Sequence, residues 1–510
     1  MRRIKLNWIF WHRWLGIITC VGILMWGISG ISHPIMSRIQ PKPVAFSAPP
    51  VNAELHQAKA VDVVLNQHRI ARFSHVSLAQ FLDKTYYRVA NEASEPARYF
   101  DVETGEELAG GDAKYAKSLA AHFTGKDVSE ITKTELITAF SHDYHAVNRL
   151  LPVWRVEFDD GQHLRAFIDT EQSRLSTLVN DTRYWLTRLF QFGHNWSFLE
   201  FAPKLQLSIA GLVLVTVLTS AVSGLYLYVK LGKSKQRLAN QPMRRWHRRI
   251  GLIVSIAALI FASSGLFHLM MSYQQQANAL IIKTESMQTA QLNPQIWAKI
   301  TAQHLVKLDL IAYAGVPYWY VLNASTSGEN QMPVAQVGVL AKEAEHAEHH
   351  NHHDHENAKP KPILPYVVRA DIDAQEISNA EVSQTNSVEN LAKQRVASLT
   401  KKPLGDIVST EWVTKFANEY GFIFKRLPVV KVQMQDADNT RYYVEPATGA
   451  LAAKVRDIDG LEGFVFAYLH KWSFEGLNKD LRDVLVSLFA LGNIVVAIMG
   501  LILFLRRYPR

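Results

Sequence analysis

Cysteine is nearly absent from this chain: Cys20 is the only one in 510 residues. A single thiol excludes an intrachain disulfide, a Cys-ligated iron–sulfur cluster and Cys-x-x-Cys-His attachment of covalent haem. Charge is missing from four long apolar stretches, 14–31, 205–229, 250–271 and 484–505, none of which holds Asp, Glu, Lys or Arg. Each is long enough to cross a bilayer as an α-helix. Acid is missing from residues 1–13, 230–249 and 506–510, which together carry 15 Lys or Arg. The positive-inside bias puts all three segments in the cytoplasm. The rest holds 40 Lys+Arg against 46 Asp+Glu, so the outward-facing material is mildly acidic. A pI of 9.3 therefore reports membrane topology, and nucleic acid is not a partner. No Gly-x-Gly-x-x-Gly fingerprint occurs, which argues against direct oxidation of NAD(P)H. No Ala-x-Ala-like site follows the first span, which is expected to be an uncleaved anchor.

What is present is duplicated. Trp11-His12-Arg13, Gly16, Ser29-Gly30 and His33 recur without a gap, 235 positions on, as Trp246-His247-Arg248, Gly251, Ser264-Gly265 and His268. A second repeat, at an offset of 276, matches His194, Trp196, Ser197 and Phe198 with His470, Trp472, Ser473 and Phe474, Phe190 with Phe466, Leu212 with Leu488, and Gly224 with Gly500. The chain is expected to be an α-helical membrane protein: a four-helix transmembrane bundle of two parallel repeats, with α+β modules between helices 1 and 2 and between helices 3 and 4. Its expected divisions are 1–37 (first span), 38–185 (first external region), 186–229 (interfacial segment and second span) and 230–249 (basic cytoplasmic loop). Then follow 250–275 (third span), 276–462 (second external region) and 463–510 (interfacial segment, fourth span and cytoplasmic tail).

The external regions show strand, tight turn and strand around residues 98–106, 164–173 and 441–450, the turn supplied by Thr-Gly in the first and third, with weaker versions at 317–324 and 367–377. Helices are expected at 53–68 and 388–399, and two modules in each region. These turns, with Arg441-Tyr-Tyr-Val-Glu-Pro-Ala-Thr-Gly449 the clearest, resemble PepSY domains. Together with the Trp-His-Arg-Trp-Leu-Gly opening and the Ser-Gly that follows, they make the chain resemble PepSY-associated transmembrane proteins. The four-helix, two-half layout is similar to that of bacterial inner-membrane ferrisiderophore reductases and related iron-uptake proteins. That resemblance implies periplasmic PepSY-like modules and an iron-linked oxidoreductase carrying b-type haem. The substrate would be a ferric siderophore or other ferric chelate, and a cytoplasmic or quinol donor would supply electrons. The family also holds members of unknown activity.

The residues support the haem on their own. Histidine at a membrane face needs a partner, and imidazole is a standard axial ligand of haem iron. In each first-repeat copy the two histidines stand 21 positions apart, a helical rise of roughly 31 Å, about the thickness of the hydrocarbon core. Two non-covalent haems, one near each face, are therefore expected. His12 and His247 form the inner pair. On the outer side His33, His194, His268 and His470 allow three arrangements: His33 with His268, His194 with His470, or His33 with His194 and His268 with His470. The competing reading leaves these histidines in the headgroup region beside tryptophan. The chain would then be a haem-free PepSY scaffold, accessory protein or peptidase regulator in metal uptake. A metal permease is disfavoured, since the spans offer little polar material at mid-depth beyond Thr216, Ser255 and Asn493. Electron transfer requires no catalytic nucleophile or general base. Separately, His346, His349, His350, His352, His353 and His355, interleaved with acids in 343–356, form either a polar insertion or a loop that gathers metal ions. His142 and His145 are a fainter pair.

Overall fold

The computed structural model describes residues 7–49, 51, 55–91, 95–230, 241–277, 285–301, 305–323, 364–371, 384–417 and 419–506. They form two compact units: residues 1–40, 182–280 and 458–510, and residues 41–181 with 281–457. Among the described residues the longer helices are α1 (Trp8–Ile39), α2 (Val61–Gln67), α3 (Gly111–Thr124), α4 (Asp181–Phe190), α5 (Pro203–Lys230), α6 (Pro242–Ala277), α7 (Pro294–Thr301), α8 (Gln384–Thr400), α9 (Asp457–Val465) and α10 (Lys479–Leu505). The strands are β1 (Arg72–Phe73), β2 (His75–Phe81), β3 (Lys84–Ala90), β4 (Arg98–Asp101), β5 (Ile131–Ile137), β6 (Val153–Phe158), β7 (Arg165–Asp169) and β8 (Arg174–Val179). They continue as β9 (Met287–Gln288), β10 (Leu305–Tyr313), β11 (Val316–Asn323), β12 (Tyr366–Arg369), β13 (Ile407–Val413), β14 (Val429–Met434), β15 (Arg441–Glu445) and β16 (Ala450–Val455).

The first unit holds four helices long and apolar enough to cross a membrane, α1, α5, α6 and α10. Helix α1 packs on α5 and α10, and α6 packs on the same two. Small residues allow the backbones to approach. A Cβ on Gly22 would come within 2.5 Å of Val213 Cγ1, one on Gly27 within 2.8 Å of Ile494 Cγ1, and one on Gly492 within 2.7 Å of Val254 Cγ1. Outward-facing Ile18, Val21, Leu212, Ile253 and Leu488 stay exposed, as lipid-facing positions should. The helices overrun the uncharged stretches because their ends are capped and paired in polar surroundings. Asn478 caps α10 through its side chain, and Arg38 near the end of α1 pairs with Asp480 and Asp483, each at 2.7 Å.

The second unit is built on a six-stranded antiparallel sheet, order β12-β11-β10-β2-β3-β4. Its two halves meet where β2 pairs β10, with Ser77 opposite Asp309 and Val76 opposite Leu310. One face is apolar: Leu78, Tyr87, Phe100, Leu308, Leu310 and Trp319 pack on Val64 and Leu65 of α2 and Ile296 and Trp297 of α7. Full burial of such side chains stabilises by about 1.5–3 kcal/mol each. The other face carries a buried row of cross-strand neighbours, Tyr320, Asp309, Ser77, Arg88 and Tyr99. Two four-stranded sheets complete the unit. In β5-β6-β7-β8 the cover is α3; in β13-β14-β15-β16 it is α8, through Val388, Ala392 and Val396. The helix expected over 53–68 begins only at Val61, because Lys59 N–H bonds the Val102 carbonyl at 2.8 Å and Ala60 is extended.

The β7–β8 turn and the β14–β15 region are joined by a buried ion chain. Arg174 pairs with Asp169 at 2.8 Å and donates to Glu445 at 2.7 Å. Arg426 holds the other Glu445 oxygen, and Thr448 Oγ1 donates to it at 2.7 Å. Burial alone would raise the Glu445 pKa, but Arg174 and Arg426 hold it well below the usual carboxylate range. Asp436 falls to about 2, since the Thr440 N–H and Lys402 outweigh its desolvation. Carboxyls depressed in the folded state stabilise fully above their unfolded pKa, near 4, and lose that contribution as pH falls through the folded value. Thermal melts of the full chain in detergent, followed by circular dichroism, are therefore expected to be flat from about pH 7 to 5. The midpoint should then drop steeply between about pH 4 and 2; a midpoint constant down to pH 2 would contradict these assignments.

Candidate functional site

His12 and His247 sit near the N-terminal ends of the first and third apolar helices, α1 and α6. His12 Nδ1 lies 2.9 Å from Ser223 Oγ on α5, and a Cβ on Gly224 would lie 3.2 Å from His12 Cε1. His247 Nδ1 lies 3.1 Å from the Val496 carbonyl on α10, and a Cβ on Gly500 would lie 3.3 Å from His247 Cε1. Each imidazole thus rests against a glycine, and the two glycines are themselves 276 positions apart. With Nδ1 engaged in both, Nε2 is the nitrogen left for a ligand.

His194 and His470 owe their placement to an unusual backbone. Helices α4 and α9 each run into a π turn, Gln191–Asn195 and Phe466–His470, a feature that often accompanies functional sites. Trp196 and Trp472 follow in the left-handed region at φ 57° and 56°, costly for a side chain of that size and sustained only by surrounding contacts. Gln206 Nε2 donates to the Asn195 carbonyl at 2.6 Å, and Arg482 Nη1 donates to Ser473 Oγ at 3.1 Å. These bonds tie each turn to the helix that follows it.

The π turns bring His194 and His470 together, ring centroids 6.1 Å apart and planes at 82°. Ser29 Oγ lies 3.3 Å from His194 Nδ1 and Ser264 Oγ 3.1 Å from His470 Nδ1. A Cβ on Gly193 would come within 3.0 Å of the Met25 carbonyl, and Trp26 Nε1 donates to the His194 carbonyl at 3.0 Å. Phe190 stacks on His194 at 4.6 Å and touches His33 at 5.6 Å; Phe466 stacks on His268 at 4.6 Å and on His470 at 5.2 Å. His33 and His268 are therefore separated from a ring partner in their own half by a phenylalanine that contacts both. His268 Nδ1 hydrogen-bonds the Glu462 carboxylate, and the position matching Glu462 is Leu186.

The repeats disclosed Phe190, Phe466, Gly224, Gly500, Ser29 and Ser264 as recurring positions without showing what they touch. Ser223 and Glu462 have no recurring partner, so only a break in the repeat could have drawn attention to them. The segment containing His346, His349, His350, His352, His353 and His355 lies outside the described residues. Among the described residues no group of three or more His, Cys, Asp or Glu is placed to hold a metal ion. Between His142 and His145, Asp143 pairs with Arg155 and Arg165 at 3.6 and 3.5 Å, and Tyr144 is buried. That short segment is occupied in holding its loop.

Four long apolar helices with lipid-facing surfaces make this a membrane protein. The chain belongs to the family described as PepSY-associated TM region, whose model matches residues 9–362. No curated protein matches the chain.

Proposed function

We propose that this is a haem b-containing electron-transfer protein of the bacterial inner membrane that reduces ferric chelates, ferric siderophores among them, on the periplasmic side. Both termini lie in the cytoplasm, the four helices cross the bilayer as two parallel repeats, and residues 41–181 and 281–457 are periplasmic. The observation that carries this reading is the matched serine–histidine arrangement at the outer end. Two imidazoles with centroids 6.1 Å apart have about the separation that one metal ion imposes when it binds a nitrogen of each at about 2.0–2.1 Å.

The residues fit two b-type haems. His12 with His247 would hold the inner one and His194 with His470 the outer one. Ser223, Ser29, Ser264 and the Val496 carbonyl hold the Nδ1 side of each ring, which sets tautomer and orientation. A Cβ on Gly16 or Gly30 would meet nothing within 4 Å, so α1 leaves open space beside its histidines, while on α6 a Cβ on Gly251 or Gly265 would be in ordinary contact with Val496 or His470 at 3.7 Å. When bound, the group would supply a one-electron iron couple, tuned by the histidines that hold it and by their hydrogen-bond partners. Phe190 and Phe466 keep the outer rings in plane, and the apolar helices exclude water. With the group in place, a cytoplasmic or quinol donor would supply the electrons at the inner end, and the chelate would accept them at the outer end. Iron(II) is held more weakly than iron(III) by the hard oxygen ligands of such chelates, so reduction loosens the iron.

The test is the absorption spectrum of the protein purified from haem-replete cells. A Soret band with sharp α and β bands on reduction is expected, diminished in His12→Ala and His247→Ala. Anaerobic addition of a ferric chelate to the reduced protein should then restore the oxidised spectrum. A colourless protein would favour the scaffold reading, and failure of every chelate to reoxidise it would remove the reductase assignment.

A further inference from the structure

Where α5 finishes and α6 begins, the bundle carries positive charge that no neighbouring acid balances. Arg244, Arg245, Arg248 and Arg249 stand in the opening turns of α6, and Lys230 closes α5. Arg244 with Arg248 and Arg245 with Arg249 are like charges four positions apart, a spacing that destabilises a helix. The ends of α1 and α10 lie at the same place: Trp8 is 5.1 Å from Tyr226, and Trp14 is 5.2 Å from Phe504. Yet residues 1–53, 201–284 and 484–510 contain no Asp or Glu. Every acid of the chain falls in the stretches that join the helices at their opposite ends. The repeat does not require these arginines either, since the α1 positions matching Arg244, Arg245 and Arg249 are Ile9, Phe10 and Trp14. Only Arg248 has a basic counterpart, Arg13.

The cations stand at the depth of lipid headgroups. Arg249 immediately precedes the uncharged run that starts at Ile250, and at about 1.5 Å per residue Arg244 lies about 9 Å outside it. The headgroup layer is about 5–7 Å deep on each face. Aromatic rings of the kind that gather at that depth hold three of the cations. Arg248 lies 5.2 Å over Tyr228 and its Nη2 donates to the Tyr228 carbonyl at 3.4 Å. Lys230 lies 5.2 Å over Tyr226 and donates to its hydroxyl at 3.0 Å, and Arg249 lies 5.7 Å over Trp246. A guanidinium stacked on a ring still presents its N–H edge.

We propose that this end of α5 and α6 binds the phosphodiester headgroup of an anionic phospholipid. The guanidinium fork matches phosphate oxygens, and a charge-assisted bond to phosphate is among the stronger hydrogen bonds a side chain makes. A headgroup shared by α5 and α6 offsets the repulsion among the arginines. A soluble acidic protein would meet the same charge, but Lys230 reaches back one turn to Tyr226, toward the uncharged run of α5 that ends at Val229. That direction favours the bilayer surface. The site needs nothing from the haem reading.

The test is native mass spectrometry of the full chain in a neutral detergent, titrated with phosphatidylglycerol, phosphatidylcholine or inorganic phosphate. A phosphatidylglycerol adduct is expected at low mole fraction, with phosphatidylcholine and phosphate bound far more weakly. Each basic residue near an anionic lipid is worth about fivefold in binding, so Arg248→Gln should weaken the adduct about fivefold and Arg244→Gln with Arg248→Gln about 25-fold. Arg248→Lys keeps the charge and should stay within about twofold of the unaltered chain. Equal binding of phosphatidylcholine, or of phosphate alone, overturns the proposal, as does an adduct unchanged in the double variant. A loss in Arg248→Lys as large as in Arg248→Gln would mean a packing role, and it too overturns the proposal. Soluble polyglutamate that binds in place of the lipid would assign the face to an acidic protein instead.

Discussion

Replacing His194 or His470 with alanine is expected to remove the outer haem, about half of the bound total, while His33→Ala and His268→Ala leave both haems in place. The six duplicated histidines alone allowed three outer arrangements, and these variants separate them. If His33 and His268 were the ligands, their alanine variants would lose the outer signal and the His194 and His470 variants would keep it. If each half held its own outer haem, all four variants would lose some. The geometry favours the first outcome because His194 and His470 are in ring contact at 6.1 Å, each with a serine on Nδ1. His33 and His268 instead lie across a phenylalanine from the nearest ring in their own half. Haem per protein, measured on purified full-length chain and compared with His194→Gln and His470→Gln to preserve side-chain bulk, reads the result. Undiminished haem in the His194 and His470 variants would reject this pairing.

Arg174→Ala is expected to destabilise the second unit by about 3–5 kcal/mol, the usual cost of breaking a buried ion pair by removing one partner. Two carboxylates lose by it, Asp169 and Glu445, and Arg174 also donates to the Lys425 carbonyl at 3.1 Å. Glu445 is only 2% exposed, so water cannot replace the lost donor without opening the turn. Arg174→Met combined with Glu445→Met should cost less than the sum of the single changes, because it removes both charges and keeps the volume. Denaturant unfolding of the full chain followed by circular dichroism gives the comparison. Additive losses would mean that the two side chains do not interact.

The membrane unit was legible because uncharged runs of sufficient length have one use, and the histidines because they recur in both copies. Their partners were less legible, since sequence separates what the bundle joins: Ser29 and His194 are 165 positions apart, and Ser264 and His470 are 206. Strands β4, β7 and β15 announced themselves by alternation ending in Thr-Gly or a similar turn. What no local pattern carried was the pairing of β2 with β10, because a strand's periodicity says which face is buried and nothing about its neighbour. The buried row through Asp309, Ser77 and Arg88 follows from that pairing and was equally hidden. Glu462, which bonds His268, escaped notice for the opposite reason: the repeats direct attention to what matches, and it stands where they do not.

The junction of β2 and β10 also bears on how such a chain can be divided. Strand β2 comes from the first external region and β10 from the second, and in the sheet each covers the other's edge. A polypeptide carrying one region alone would leave that row of backbone donors and acceptors bare, an open template for another strand. It could close its sheet only by meeting a second copy, as a two-fold dimer whose stability would depend on protein concentration. Within one chain the same closure is independent of concentration, and the two copies no longer have to be identical. A covalently joined pair can keep a carboxylate at Glu462 and a leucine at the matching position, a distinction that a homodimer encoded by one sequence could never hold.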